Sequence, residues 1–121
     1  MFKIMEGLPP DILGIEAEGK ITHEDYRDVL IPKAEAMMQG GPIKALCVIR
    51  NDLSDYALEA MWDDQQFGFK HWSDFSHMAL VTDSVWMRAA TSLFAPFYPA
   101  KIKLFSLNEL EMAKAWIINA D

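Results

Sequence analysis

The stretch "IKALCVIR", residues 43–50, decides the fold. It is a compact and almost continuously apolar run, a pattern typical of a central strand that is buried on both faces of a sheet. The runs "HMALVT" at 77–82 and "KIKLFS" at 101–106 are also predicted to be strands, and a helical pattern separates each run from the next. Because strands that alternate with helices usually pair in parallel, the sequence predicts an α/β domain with a mainly parallel sheet.

The other predicted elements complete a single domain over residues 1–121. Segments 2–7 and 12–19 are predicted strands around the turn "LPPD". A partial capping box at Thr22 begins a helix through about residue 38, with a bend expected at Pro32. Further helices are predicted at 58–72 and 85–94, and from a second capping box at Ser106 to about residue 119. The predicted order is ββαβαβαβα, with about five strands and about four helices around a mixed, mostly parallel sheet.

The predicted helix at 85–94 has an apolar stripe of its own. At 100° per residue, one side carries Trp86, Ala90, Leu93 and Phe97. This stripe is predicted to pack on the core, whereas Arg88, Thr91 and Ala95 point away.

The composition argues against several classes of function. The chain has 121 residues, 51% of them hydrophobic, which is enough to bury one core. Its formal net charge of −7 repels phosphate backbones and anionic lipids, so we expect no nucleic-acid partner. The apolar runs are too short for a membrane span. Cys47 is the single cysteine and the first residues lack the features of a secretory leader, so we expect a cytoplasmic protein.

The segment "LEAMWDDQQFGFKHW", residues 58–72, is the most aromatic helical segment. At 100° per residue, one stripe is mostly apolar and is predicted to pack on the sheet. Its members are Leu58, Met61, Trp62, Gln65, Phe69 and Trp72. The opposite side is a candidate partner face, because it carries an aromatic residue that core packing does not explain. That face consists of Ala60, Asp63, Asp64, Phe67 and His71.

Motifs for metal, cofactor or catalytic chemistry are not found in the sequence. The histidines and Cys47 lack the spacing of metal ligands, and there is no phosphate-binding loop or nucleophile elbow. We therefore predict no catalytic residue, no metal and no cofactor. Arg88 with Asp83 and His77 is the best constellation for an enzyme, which is a remote alternative.

Polar residues follow two of the predicted parallel strands. Ligands of open parallel sheets bind outside the carboxyl ends of the strands, beside helix N-termini. Ser54 follows one strand, and Asp83 and Ser84 follow the next. This edge is a candidate effector or phosphorylation site, and helix capping is its ordinary alternative.

Three long segments together resemble the SpoIIAA-like proteins, small bacterial domains related to the STAS domain of anti-sigma-factor antagonists. They are "GKITHEDYRDVLIP", "ALEAMWDDQQFGFKHWSDFSHMALVTDSVWMRAATSLF" and "KIKLFSLNELEMAKAWI". The most specific parts are the Trp62-Asp63-Asp64 segment and Val81-Thr82-Asp83 with the following Trp86 and Arg88. The resemblance implies an α/β fold with a mixed sheet and flanking helices. It also implies kinship in shape to lipid-binding CRAL-TRIO domains, and no established enzyme activity.

The resemblance does not extend to the phosphorylation loop of the antagonists. That loop has an Asp-Ser-Ser/Thr-Gly type of motif, whereas this chain has "RNDLSDYAL", with Ser54 near the corresponding place. The phosphorylation switch is therefore not carried over.

Two main functions follow from these observations. The first is a non-catalytic domain that acts through protein–protein interaction or regulation. Self-association, as a dimer, is one form of this function, through the candidate partner face or the aromatic segment "FAPFYP". The alternative is a carrier or sensor of a small apolar, lipid-like ligand, because apolar and aromatic side chains usually line such pockets. Its candidate residues are Trp62, Trp86, Phe94, Phe97 and Tyr98.

Overall fold

The described strands form one five-stranded sheet in the computed structural model, which describes residues 1–50, 66, 67, 70, 71 and 73–120. The strands are β1 (Phe2–Ile4), β2 (Ile12–Ala17), β3 (Ile43–Ile49), β4 (Phe75–Thr82) and β5 (Lys101–Phe105), and they lie side by side in this order. β1 pairs with β2 in the antiparallel direction, and every other pairing is parallel. The predicted mixed, mainly parallel sheet is confirmed.

The first helix, α1, is continuous through three segments, His23–Asp25, Tyr26–Leu30 and Ile31–Met38. The predicted capping box begins it, since Thr22 and Asp25 exchange side-chain and backbone hydrogen bonds. In the middle segment the helix widens to π geometry, and the Ile31 N–H donates to the Tyr26 carbonyl, five residues back. Pro32 follows at once. Because proline has no N–H and crowds the preceding turn, the irregularity expected at Pro32 takes this form.

Two further helices are described in full. Helix α2 spans Val85–Phe94 and continues as a 3₁₀ turn, Ala95–Phe97. Helix α3 spans Leu110–Asn119 and follows a 3₁₀ turn, Leu107–Glu109. The second predicted capping box precedes it, where Ser106 and Glu109 bond reciprocally. Of the helix predicted at 58–72, only residues 66, 67, 70 and 71 lie within the described part of the chain.

Each face of the sheet packs against its own hydrophobic cluster. On the face that we call face A, α1 contributes Tyr26 and Ala34 to a cluster that includes Leu13 and Ile15 of β2. The opposite face, face B, packs against α3. Its cluster contains the following residues: Ile12, Leu46, Val48, Ala79, Val81, Phe105, Ala113 and Ile117. Burial on both sides explains why the central strands are continuously apolar in sequence.

The loop between β1 and β2 folds over face B. Its residues Met5 and Leu8 pack against the face B cluster, and the Met5 N–H donates to the Gly14 carbonyl at 2.8 Å. A Cβ atom on Gly14 would lie 2.8 Å from the Cβ of Met5, so glycine is what allows the loop to approach this closely. Of the helices in the described ranges, none has the length and hydropathy needed to cross a bilayer.

Candidate functional site

Helix α2 and the turn after it carry a large apolar surface that the described structure leaves in contact with solvent. Val85 is 82% exposed, Leu93 65% and Phe97 72%. Trp86 and Phe94 are 58% and 56% exposed. We call these five residues the α2 apolar face. No residue of α2 is buried. An isolated exposed hydrophobic residue is ordinary, whereas five large ones on a single helical segment need an explanation.

Among the described residues, Met87 and Arg88 connect the inner side of α2 to the rest of the domain. Met87 packs against the face A cluster. Arg88, the only charged residue between Val85 and Phe97, turns toward the sheet, and its Nη1 donates to the Thr82 carbonyl at 3.1 Å. The prediction that Trp86, Leu93 and Phe97 share one stripe agrees with their common exposure. The prediction that this stripe packs on the core, with Arg88 pointing away, is wrong.

The start of α2 is fixed by residues that the sequence marked as a candidate effector site. Ser84 is the N-cap, and its Oγ accepts from the Met87 N–H at 3.3 Å. The Ser84 N–H donates to the Thr82 Oγ1, and the Asp83 carboxylate accepts from the Leu107 N–H at 3.0 Å. These bonds correspond to the ordinary capping alternative. Ser54, the third member of that candidate set, lies outside the described residues.

Two carboxylates at the carboxyl edge of the sheet, those of Glu16 and Glu109, are held by hydrogen bonds. Arg50 Nε donates to Glu16 Oε1 at 2.5 Å, and this hydrogen bond is the main reason that the pKa of Glu16 lies below its ordinary value. The Ser106 N–H, which donates to the carboxylate of Glu109 in the capping box, lowers the pKa of Glu109 in the same way. Both carboxylates are therefore engaged in holding strand and helix ends.

The candidate partner face of the 58–72 helix is corrected by the two members that the structure describes. Phe67 is half-buried and packs against the face A cluster, with its ring centroid 6.2 Å from that of Phe75. His71 is only 9% exposed, and its ring lies 4.7 Å from the Phe67 ring. Both side chains therefore point inward, and burial of the Phe67 ring favours this orientation. The remaining members, Ala60, Asp63 and Asp64, lie outside the described residues.

His71 can be buried because both of its ring nitrogens have partners. Nδ1 lies 2.7 Å from Oδ2 of Asp74, and Nε2 lies 3.0 Å from Oε2 of Glu35. Lys70 Nζ is 2.9 Å from the same Glu35 oxygen, and the Lys70 ammonium, followed by the His71 ring, lowers the pKa of Glu35. The group fastens this segment to α1. Neither ring nitrogen is left available as a base or a metal ligand.

The described members of the other sequence-predicted sites do not form a chemical centre. His77 lies six residues before Asp83 along β4, about 20 Å away in an extended strand, so the weak enzymatic constellation does not form. Trp86, Phe94 and Phe97, proposed for an apolar ligand, lie on the surface, whereas Tyr98 is half-buried. Trp62 lies outside the described residues. Within the described ranges, no three His, Cys, Asp or Glu side chains converge to hold a metal ion.

Comparison with known proteins identifies the family of the chain. The model of the SpoIIAA-like family matches residues 12–118. The chain belongs to the SpoIIAA-like family. No protein with a curated description matches this SpoIIAA-like domain. Among solved structures it is similar to an uncharacterized protein of the DUF3478 family from Shewanella loihica PV-4, which has a SpoIIAA-like fold. The two are 29% identical with a TM-score of 0.73, over 97% of this chain and 92% of the other. The family assignment supports a STAS-type domain.

Proposed function

We propose that this SpoIIAA-like domain is a non-catalytic interaction module that binds a protein partner through the α2 apolar face. The observation that carries the proposal is the exposure of five large apolar side chains on one short helix and its following turn. Both faces of the sheet already have core clusters, with α1 on face A and α3 on face B. The α2 apolar face is therefore not accounted for by the described core.

The size of the face favours a macromolecular partner. Each large side chain exposes on the order of 100–200 Å², so the five together offer roughly 700 Å². The largest apolar patch on a typical monomer is about 300–600 Å² and is often functional. Exposed apolar surface of this extent, with two Phe and one Trp, has the composition of the central part of a protein interface.

The charge of the face limits the kind of partner. The only charge in this segment, Arg88, is directed toward the Thr82 carbonyl. Covering the face therefore requires no desolvation of ions, which would cost free energy. A membrane-surface helix usually adds Lys and Arg to attract anionic lipid, and a domain with a net charge of −7 lacks that attraction. A protein surface that is also apolar fits best.

Site-specific photocrosslinking tests this proposal. A benzoylphenylalanine is placed at position 97 in one variant and at position 112 in a matched control, because Met112 is similarly exposed but lies on α3. After irradiation in a lysate of the host cell, the position 97 variant is expected to form discrete protein adducts, with the partner chain identified by mass spectrometry. Adducts of equal yield at position 112, or none at position 97, would contradict the proposal.

A carrier of a small apolar ligand remains the second candidate function, and the exposure of its proposed residues favours it less. Pockets bury roughly 70–90% of a small ligand. Trp86, Phe94 and Phe97 are each more than half exposed, which describes an open surface better than an enclosing one. Native mass spectrometry of the purified domain separates the two functions, because a carrier retains an additional small mass that is lost on denaturation.

A further inference from the structure

We infer that the partner of the α2 apolar face is a second copy of the same chain, with the two α2 helices packed antiparallel across a two-fold axis that passes between Ala89 and Ala90. This inference rests on the proposed function, because it names the occupant of that binding surface. It also fixes a register, in which Trp86 of each copy faces Leu93 of the other copy.

The arrangement of side chains around α2 supports this register. At 100° per residue, Trp86 and Leu93 lie within about 20° of each other, on the centre line of the exposed side. Ala89 and Ala90 lie between them, about 50° to either side of that line. The two small residues at the middle of the contact allow two helices to approach closely, and a large residue remains at each end. A two-fold axis at the middle then places each large side chain against one of the partner's.

The area of the face is sufficient for such a dimer. The roughly 700 Å² per copy, which includes Val85 and Phe94 at the two flanks of the face, approaches the roughly 800 Å² that each partner contributes to a standard stable interface. The face extends along the whole of α2 and its 3₁₀ turn, from Val85 to Phe97.

The charge distribution also favours a second copy. Complexes between different proteins often use complementary charges to select the correct partner. The α2 apolar face carries no charged group that could serve this purpose. Two copies carry the same net charge of −7 and repel each other at long range. That repulsion is tolerable at an uncharged contact, because no carboxylate has to be buried against another. Identical apolar surfaces need only matching shape.

A charge-exchange experiment tests the partner and the register together. Trp86→Lys and Leu93→Glu are made separately in the full chain, and each is compared with wild type by sedimentation velocity at about 10 μM, where an interface of standard size holds a dimer. Wild type is expected to be a dimer. Each variant alone is expected to raise the dimer dissociation constant at least about 100-fold, because every dimer then buries two unpaired charges.

The decisive step is to mix the two variants in equal amounts. In the antiparallel register, Lys at position 86 of one copy faces Glu at position 93 of the other, and the second contact, Leu93 against Trp86, is native. The mixture is therefore expected to recover a dimer of about 1:1 composition, detected with one variant fluorescently labelled. Recovery in the mixture but in neither variant alone is the outcome that supports the register.

Controls separate association from folding. Met112→Glu changes an exposed apolar residue of α3 and is expected to remain a dimer. Circular dichroism melts verify that each variant is folded, and Trp86→Arg or Leu93→Asp, which keeps the same position and charge, replaces a variant that is not. A monomeric wild type, or a dimer that Leu93→Glu leaves intact, would overturn the inference. A mixture that stays monomeric would overturn the register. If wild type is monomeric but position 97 crosslinks to another protein, only the second-copy inference fails and the proposed function stands.

Discussion

Replacement of Gly14 by alanine is expected to destabilise the domain, because the β1–β2 loop lies against this position on face B. The added Cβ would be 2.5 Å from Cδ1 of Leu8 and 2.8 Å from Cβ of Met5. Carbon atoms prefer a separation of about 3.5–4.0 Å. The Leu8 methyl can rotate away, whereas the Met5 Cβ is attached directly to backbone that hydrogen-bonds to Gly14 at 2.8 Å. The loop must therefore move by about 0.7 Å or more to restore that separation.

The magnitude follows from two opposing terms. Overpacking of a well-packed site costs typically about 1–3 kcal/mol. Alanine also restricts the unfolded chain, which returns about 0.4–1 kcal/mol. The expected net loss in the free energy of unfolding is about 1–2 kcal/mol, which corresponds to a Tm lower by about 4–8 °C for a domain of this length. Urea denaturation and thermal melts followed by circular dichroism measure both quantities.

Gly40→Ala is the matched control for this experiment. Among the described atoms, its Cβ would have only the Met37 carbonyl oxygen nearby, at 3.9 Å, and Gly40 does not have a positive φ. The same chemical change is therefore expected to be neutral or to stabilise by up to about 1 kcal/mol. If Gly14→Ala were as stable as wild type, or if both variants lost the same stability, the loop would not pack on face B as described.

Three further perturbations test contacts that hold the helices in place. Thr22→Ala removes the cap of α1 and is expected to cost about 1 kcal/mol in urea denaturation; an unchanged midpoint would mean that the cap contributes nothing. His71→Leu removes two hydrogen bonds to carboxylates that remain partly in water, so we expect a loss of about 1–2 kcal/mol, and equal stability would argue against the fastening role. The pKa values of Glu16, Glu35 and Glu109 are lowered in the fold, so their stabilising contribution is present above the unfolded value near 4.5 and is lost as the pH falls through the folded values. Unfolding free energies at pH 7 and about pH 3.5 should show this loss, and a flat profile would contradict it.

The sheet could be predicted from the sequence because burial on both faces leaves a distinct pattern. β3 and β4 each appear as a continuous apolar run, since side chains on both sides contact a hydrophobic cluster. The helix starts were also predictable, because the Thr22 and Ser106 capping boxes are local in sequence. The order of strands and helices needed only this local information together with the preference of alternating elements for parallel pairing.

The rotation of the helices could not be predicted in the same way. Periodicity states which residues share a side of a helix, but tertiary contacts decide which side faces the sheet. For α2, the hydrogen bond from Arg88 to the Thr82 carbonyl and the packing of Met87 set the rotation. For the segment around His71, the decisive partner is Glu35, 36 residues away on α1. Neither contact has a signature in the local sequence, so the inward orientation of Arg88, Phe67 and His71 was not predicted.

The outward orientation of the apolar side of α2, which the sequence did not predict, is also the strongest argument for association. A large apolar residue is usually explained by the stability that its burial gives to the monomer, about 1.5–3 kcal/mol for a full side chain. Leu93 and Phe97 receive less than half of that benefit because most of their surface stays in water. Polar residues at such exposed positions generally change monomer stability by no more than about 0.5 kcal/mol. Folding alone therefore does not require an apolar surface on α2. A partner that covers the face does require it, since each of these side chains then gains the burial that the monomer does not provide. Leu93→Glu is therefore expected to leave the denaturation of the dissociated chain nearly unchanged at high dilution and to abolish the concentration dependence of Tm that wild type shows. If Leu93→Glu instead lowered the stability of the dissociated chain as much as it weakened the dimer, these side chains would stabilise the monomer itself.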